Sequence, residues 1–481
     1  MNSSKKILFV SGNIEHLYQF VIHGFFEELA ETSSVYLTMP EQDFASERWV
    51  EISNTLVGVF EKVSPYRYSG SSRKSGYQLG AASTYRFRRQ SSGYRGRIID
   101  SLFGGQKIPI DFLSFVGFQA IASNLNIFGR RLLLQIPAMV RAIRPIFWLW
   151  SKYKTWQIVH GCSIDDIVGS IAPDVVVILM QRQAGFVIAA IASGEKFNIP
   201  TLLIPYKWDN ASSKSPLIRT PTKMLVYNTA IKEVCERLHK MPADALVAVG
   251  SVEVGRGDSL PNQSKGNLIP LIGASTKIAD SFEWIDCVDS QFCDRSFIAT
   301  MDKYQAILRP YPNQSKKNLK LISDFVVGKS RIHVDADILT GQSHRSDGVS
   351  FVTVRDSYYR YIALLDSAVL VISEGTSAII DARARGVPVI FPAFKKNTFI
   401  GSQWFYLNWW EHMKGLRQTT GVFIAEDENE LKRLVVDFLQ SPRKIPPDNS
   451  GQNIFVDERT YAQRVLDVID DAIAEKSKQR D

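Results

Sequence analysis

The stretch LVISEGTSAIIDARARGVPVIF, Leu370 to Phe391, decides how the chain is read. Its first residues are an apolar, β-branched run and predict a buried strand. Ser373, Glu374, Gly375, Thr376 and Ser377 follow at once, and AIIDARAR then has helical spacing. Gly386 stands where a helix ends, and VPVIFP predicts a second buried strand. Strand, turn, helix and strand in so short a span form a β-α-β unit, which implies parallel strands joined by a right-handed crossover. The polar turn has two readings. Its amides and hydroxyls can receive an anion where the helix begins, or Ser and Thr simply cap the helix.

The same grammar runs through the rest of the chain. KILFV (6–10) predicts a first strand and SGN its turn. Leu17, Phe20, Val21, Phe25 and Leu29 then fall at helical spacing, and SVYLTMP predicts a second strand. DVVVILM (174–180), IPTLLIPY, KMLVYN (223–228) and ALVAVG (245–250) continue the series, with helices over about 184–196 and up to Leu238. A second series begins at LIPLIGAS (268–275). It continues through a helix at FEWIDCVDSQFC, a strand at QAILRPYP (305–312), GVSFVT, a helix near 357–365, AVLVIS, VPVIFP and GVFIA. The polar, glycine-rich VGRGDSLPNQSKGN (254–267) reads as the linker between them. The expected class is therefore α/β, with two doubly wound parallel-sheet (Rossmann-like) domains facing a cleft. The first covers 1–253, the second 268–452, and a helical tail covers 453–481. Ligands in such sheets sit beyond the carboxyl ends of the strands.

Pro65 to Ile98 differs in kind. Eight Lys and Arg residues are interleaved with Tyr66, Tyr68, Tyr77, Tyr85, Phe87 and Tyr94, with no acidic residue among them. No single period runs through it, so an insertion of about 65–160 in the first domain is expected. The net charge of +8 suits anionic partners. No nucleic-acid-binding motif accompanies the basic segment, which argues against nucleic acid. An anionic membrane surface or glycan fits it better, with the insertion and the Trp148/Trp150 segment as the docking element. FLSFVGFQAIASNLNIFG (112–129) is uncharged but carries Ser, Gln and Asn, and reads as a buried or interfacial helix rather than a span. No signal peptide is visible and the four cysteines form no CxxC pair, so a reduced cytoplasmic protein is expected, peripheral at the inner face of the cell membrane.

The polar residues at strand ends are the candidates for chemistry. Arg309, in LRPYP, can grip a phosphate or pair with an acid on the surface. His16, one turn into the first helix, can act as a general base or be a partly exposed helix histidine. PYKWDNASSK (205–214) places Lys207, Asp209, Asn210 and Lys214 after a buried strand. Asp209 can be a base or hydroxyl anchor there, and the lysines can meet phosphate or a sugar acid. The alternative is an Asx-turn loop. GSQWFYLNWWEHMKG (401–415) reads as a hydrophobic helix with Gln403 at its start as the ligand contact. No HExxH, EF-hand, Walker A, GxGxxG or G-x-S-x-G motif is present, and no metal or cofactor is expected.

YKWDNASSK, MLVYN, PLIGASTKIADSFEWI, LRPYP, LLDSAVLVISEGTSAIIDARARGVPVIF and SQWFYLNWWEHMKG occur in this order. In that order they resemble the GT-B glycosyltransferase superfamily. The narrower resemblance is to bacterial surface-polysaccharide transferases related to CDP-glycerol glycerophosphotransferases and UDP-N-acetylglucosamine 2-epimerases. It covers about Pro205 to Gly415. It implies a nucleotide-activated donor on the second domain, its pyrophosphate on Ser373–Ser377, with Ser275 and Arg309 also at the donor. Asp381 takes the place where relatives often carry a Glu near the ribose. Arg309 belongs to a motif usually written Arg-Pro-His-Pro, and Tyr311 replaces the His here. The acceptor, a glycan or lipid-linked chain, would enter near His16 and Asp209-Asn210, either of which can supply the base. The tail helix would cross back to the first domain. The expected activity is metal-independent transfer of a sugar or a glycerol-phosphate-like group. The alternatives are a 2-epimerase-type isomerase and a non-catalytic sugar- or nucleotide-binding assembly protein.

Overall fold

The computed structural model describes residues 4–70, 149, 151–180, 185–205, 207–213, 217–252, 266–273, 278–292, 302–310, 316–329, 331–335, 355–397, 402–447 and 457–478. The chain divides into two compact units, Met1–Gly255 with Arg459–Asp481, and Arg256–Glu458.

The first unit is built on seven strands, β1 (Lys5–Ser11), β2 (Ser33–Pro40), β3 (Phe60–Tyr66), β4 (Val175–Met180), β5 (Thr201–Pro205), β6 (Lys223–Val226) and β7 (Leu246–Ala248). They form one parallel sheet in the order β3-β2-β1-β4-β5-β6-β7. Every residue of β4, VVVILM, is buried, as a central parallel strand covered on both faces requires. The second unit repeats the plan with β8 (Leu268–Gly273), β9 (Gln305–Pro310), β10 (Ile332–Val334), β11 (Val371–Ser373), β12 (Val389–Pro392) and β13 (Val422–Ala425). Their order is β10-β9-β8-β11-β12-β13, again parallel. Read from its own first strand, each sheet runs 3-2-1-4-5-6, the doubly wound order, with a seventh strand added in the first unit. The expected α/β class, two doubly wound parallel sheets, is the class found.

Several boundaries differ from the sequence reading. The first helical pattern is two helices, Ile14–Ile22 and Phe25–Ala30, because Gly24 turns the backbone left-handed (φ 67°). β3 includes Pro65, so the excursion starts after it. Its two ends meet: Ser69 N–H donates to Gly161 O (2.8 Å) and Ser163 N–H to Arg67 O (3.1 Å). Chain that leaves and returns to one point leaves the sheet order intact. β3 and β10 carry no strong sequence signal; the helices Lys316–Val326 and Glu428–Gln440 are additional to the elements expected, although Leu431, Leu434, Val435 and Phe438 fall at helical spacing after an Asp427 cap. GVSFVT, Trp148, Trp150 and the 112–129 segment lie outside the described residues.

The tail is the helix Tyr461–Lys478, and it packs on the first unit. Tyr461 meets Phe25 at 5.6 Å between ring centroids. Arg464 Nε donates to Val249 O (2.7 Å) and Lys223 Nζ reaches Glu475 (2.7 Å). In the second unit the fully buried Arg383 guanidinium donates to Thr420 O (2.8 Å), Val387 O (2.8 Å) and Ile445 O (2.9 Å). It ties three separate loops to the helix Ala378–Ala384. Replacing it by Met leaves those carbonyls buried without donors, each costing about 1–3 kcal/mol. Arg383→Met is therefore expected to destabilise the second unit by about 3 kcal/mol, read from the shift of its urea-unfolding midpoint.

Candidate functional site

In a doubly wound sheet the crevice opens where the strand order reverses. That point lies between β8 and β11 in the second unit and between β1 and β4 in the first. The two crevices are furnished differently.

In the second unit, Ser373 ends β11 beside Ile272 of β8, and the turn Ser373–Ser377 leads into the helix Ala378–Ala384. The turn is held from below and above. The Glu374 carboxylate points into the core, where it accepts from Ser281 Oγ and from Trp284 Nε1 (3.3 Å). A Cβ at 273 would lie 2.8 Å from the Glu374 carboxylate, which would have to shift to admit any residue but glycine. From the other side Gln403 Oε1 accepts the Gly375 N–H (2.9 Å). Gln403 opens the helix Gln403–Trp409, whose start is fixed by Ser402 Oγ accepting the Phe405 N–H (3.1 Å). Ser373 Oγ donates to Glu374 O (2.9 Å) and lies 3.2 Å from Thr376 Oγ1. Thr376 N–H turns back to Glu374 O (2.6 Å). No hydrogen bond within the described residues takes up the N–H groups of Ser377 and Ala378. Those two amides, with the Thr376 and Ser377 hydroxyls, are what the turn can offer a ligand.

Arg309 lies at the end of β9, level with Ile272. It is buried and forms an ion pair with Asp335, just past β10. Its guanidinium also lies 5.1 Å from the ring centroid of Tyr361. The Tyr361 hydroxyl donates to Asp381 Oδ2 (2.9 Å), so Asp335, Arg309, Tyr361 and Asp381 form one chain of polar contacts around the crevice. Sequence reading named Arg309 and Asp381 but not Asp335 or Tyr361. The Asp and Tyr sit in unremarkable segments, and only the strand order brings them to the same edge. Ser275 and Tyr311 lie outside the described residues.

In the first unit two side chains of the protein itself stand at the switch point. Gly12 follows β1, and the Phe186 ring occupies the space a Cβ would need. The helix Ile14–Ile22, which carries His16, has its first N–H taken by Asp43 Oδ2 (3.0 Å). An internal carboxylate thus stands where an anion would otherwise bind. Asp209 and Asn210 lie after β5, on the same carboxyl edge as the His16 helix, with β4 between β1 and β5. Lys207 and Asp209 are half-buried. Asn210 is 1% exposed, with Nδ2 unpartnered among the described residues. Lys214 lies outside them.

The segment after β5 is fixed by a residue that sequence reading passed over. His239, the last residue of the helix Thr229–His239, is buried; its Nδ1 accepts the Leu217 N–H (3.1 Å) and its Nε2 donates to Ala211 O (2.6 Å). Both nitrogens are committed in the neutral form, and burial lowers its pKa to about 4. Protonation would put a donor against the Leu217 N–H. Among the described residues, no group of three His, Cys, Asp or Glu could hold a metal ion, and no helix is long and apolar enough to cross a membrane.

The fold is a two-domain α/β fold. No protein-family model matches the chain, and no curated protein sequence does. Among solved structures it is similar to UDP-GlcNAc 2-epimerases and glycosyltransferases. One is UDP-GlcNAc 2-epimerase from Methanocaldococcus jannaschii, with TM-score 0.49, 10% identity, 96% of this chain and 99% of that one covered. Another is the Neisseria meningitidis UDP-GlcNAc 2-epimerase bound to UDP-GlcNAc, with TM-score 0.49, 9% identity, 97% and 100% covered. A third is an O-GlcNAc transferase mutant from Thermobaculum terrenum, with TM-score 0.40, 10% identity, 99% and 69% covered.

Two outcomes test these placements. Gly273→Ala forces the Glu374 carboxylate aside and is expected to cost the second unit about 1–3 kcal/mol, read by thermal melting. For His239 the sign follows from its lowered pKa. Between about pH 6.5 and pH 4 the unfolded chain binds a proton that the folded one refuses, so stability falls as pH falls through that window. His239→Gln is expected to flatten the slope of unfolding free energy with pH there, by close to one proton, in urea titrations at several pH values.

Proposed function

We propose that the chain is a GT-B-type transferase. It takes a sugar, or a glycerol-phosphate-like group, from a nucleotide-activated donor and passes it to a surface-polysaccharide or lipid-linked acceptor, with no resident metal. The observation that carries this reading is the asymmetry between the two crevices. Phe186 packs on Gly12 and Asp43 takes the first helix N–H in the first one, whereas the second ends in a turn anchored by Glu374 and Gln403, with two hydroxyls and two amides that no described residue engages. A donor diphosphate is the ligand that such a group of donors suits at a switch point.

In this reading the amides of Ser377 and Ala378 and the Thr376 and Ser377 hydroxyls hold the diphosphate. They meet the negative charge that grows on it as the group leaves, and they are fixed beforehand by Glu374 and Gln403, so little reorganisation is needed at the moment of reaction. Asp381, oriented by Tyr361, faces the ribose. Arg309 tempers the charge of Asp335 and Asp381 at the same edge. The incoming acceptor hydroxyl needs a base, and Asp209 or His16 supplies it. Asn210, whose buried Nδ2 has no hydrogen-bond partner among the described residues, fits an acceptor oxygen beside Asp209.

Thr376→Ala/Ser377→Ala removes both hydroxyls and leaves the Glu374 and Gln403 anchors in place. Calorimetry with a panel of nucleoside diphosphates and nucleotide sugars is expected to show Kd raised about tenfold or more for the base that binds the native protein, from hydrogen bonds to charged oxygens worth about 1.5–3 kcal/mol each. Unchanged affinity sinks the assignment of the turn. Incubating the native protein with that nucleotide sugar and no acceptor separates transfer from isomerisation, because a new nucleotide-sugar product there identifies an epimerase.

A further inference from the structure

The helical segment that closes the excursion wears its apolar stripe on the outside. Residues 151–160 are helical, as is 149. Leu149, Tyr153 and Trp156 are 59%, 52% and 55% exposed, whereas Ile158 is fully buried. At about 100° per residue, Leu149, Tyr153, Trp156 and His160 share one face and Ile158 lies opposite. A surface helix normally turns such a stripe to the core. Here Ile158 and its neighbour Val159 pack on the core of the first unit, and the stripe faces solvent.

The stripe is ordered before any partner arrives. The Tyr153 and Trp156 rings lie nearly parallel, with centroids 6.2 Å apart, and Trp156 leans on His160 at 4.8 Å. Gln157 Nε2 donates to the Tyr153 hydroxyl (2.8 Å), and Lys154 Nζ lies 5.6 Å from the Tyr153 ring centroid. Lys152 is exposed beside the stripe. Along the sequence that leads into and through it, charge is of one sign. No acidic residue occurs between Asp111 and Asp165, while Arg130, Arg131, Arg141, Arg144, Lys152 and Lys154 do.

We propose that the face formed by Leu149, Lys152, Tyr153 and Trp156 docks the protein on the headgroup layer of an anionic lipid bilayer. Trp and Tyr pair an apolar body with a polar tip, which suits the boundary between headgroups and acyl chains. Basic residues around an amphipathic helix are attracted by the negative surface potential. The uniform positive sign is what chooses lipid over a protein partner or a second copy. A second copy would set Lys152 and Lys154 against their own counterparts, and a surface of fixed negative charge would not. The proposal stands apart from the donor site in the second unit.

The test is sedimentation of the full chain with vesicles of phosphatidylglycerol and phosphatidylcholine, and with phosphatidylcholine alone, at low and high salt. Wild type is expected on the anionic vesicles at low salt and to be released by high salt. Tyr153→Ser/Trp156→Ser is expected to lower the partition coefficient about tenfold or more, as two aromatic side chains lose burial in the interface. Lys152→Glu, which keeps the rings, is expected to weaken binding several-fold. Difference emission spectra between wild type and Trp156→Phe are expected to shift to the blue on anionic vesicles only. Equal sedimentation of wild type and both variants overturns the proposal, as does no binding to anionic vesicles. It also falls if light scattering shows a wild-type dimer that Trp156→Ser dissolves and that binds no lipid. Nucleotide affinity, unchanged in all these variants, keeps this outcome separate from that of the donor site.

Discussion

Parallel strands can be joined only by a crossover, so every strand-to-helix turn of a doubly wound sheet emerges on one edge. That constraint organises this protein. It brings SGN, the Lys207–Asn210 segment and the closing turn of the first sheet to a single edge, and does the same in the second for Gly273, Arg309, Asp335 and Ser373–Ser377. Residues tens of positions apart become neighbours because the backbone has no other way to pair. The chemistry available at each edge then depends on what the side chains there do with their hydrogen-bonding groups.

The two units use that edge in opposite ways. In the first, an aromatic ring and a carboxylate occupy the switch point, and the polar segment after β5 is pinned by a neutral histidine. In the second, polar side chains stand behind the turn instead of in it. Glu374 reaches back into the core, Gln403 reaches down from the next helix, and Arg383 ties distant loops to the helix that follows. A buried polar group costs stability unless its partners are in place. Such groups therefore hold their surroundings in one geometry, and a preorganised site needs that rigidity.

Much of this was legible in the residues. The β-branched runs VVVILM, TLLIP and LVIS can only be buried strands, and their alternation with helical spacing gives parallel sheets. The turn Ser373–Ser377 stood out because small polar residues between a buried strand and a helix are few. What the sequence reading missed has common physical causes. β10 is three residues long and β3 carries charges and a proline, so neither shows a strong period; the helix Lys316–Val326 does, with Leu319, Ile322 and Val326 buried at helical spacing. The split at Gly24 needed the backbone angle. The aromatic stripe of Leu149, Tyr153 and Trp156 was not singled out in the sequence, and only exposure shows that it faces outward.

The sequence by itself determined the class of the fold, most of the strands along the chain and the identity of the polar turns, because burial of apolar runs and the stiffness of β-branched residues are local properties. Tertiary structure decided which way each side chain at those turns points. Glu374 looks like a ligand contact in the sequence and proves to be a buried anchor. Arg309, which by sequence can grip a phosphate or pair with an acid, is buried and paired with Asp335 just past the neighbouring strand. His239 looks like a helix-end histidine and proves to be the pin of a loop some thirty residues before it. Such roles depend on partners far along the chain, and a linear pattern carries no information about which of them the folding of the sheet will bring within hydrogen-bonding distance.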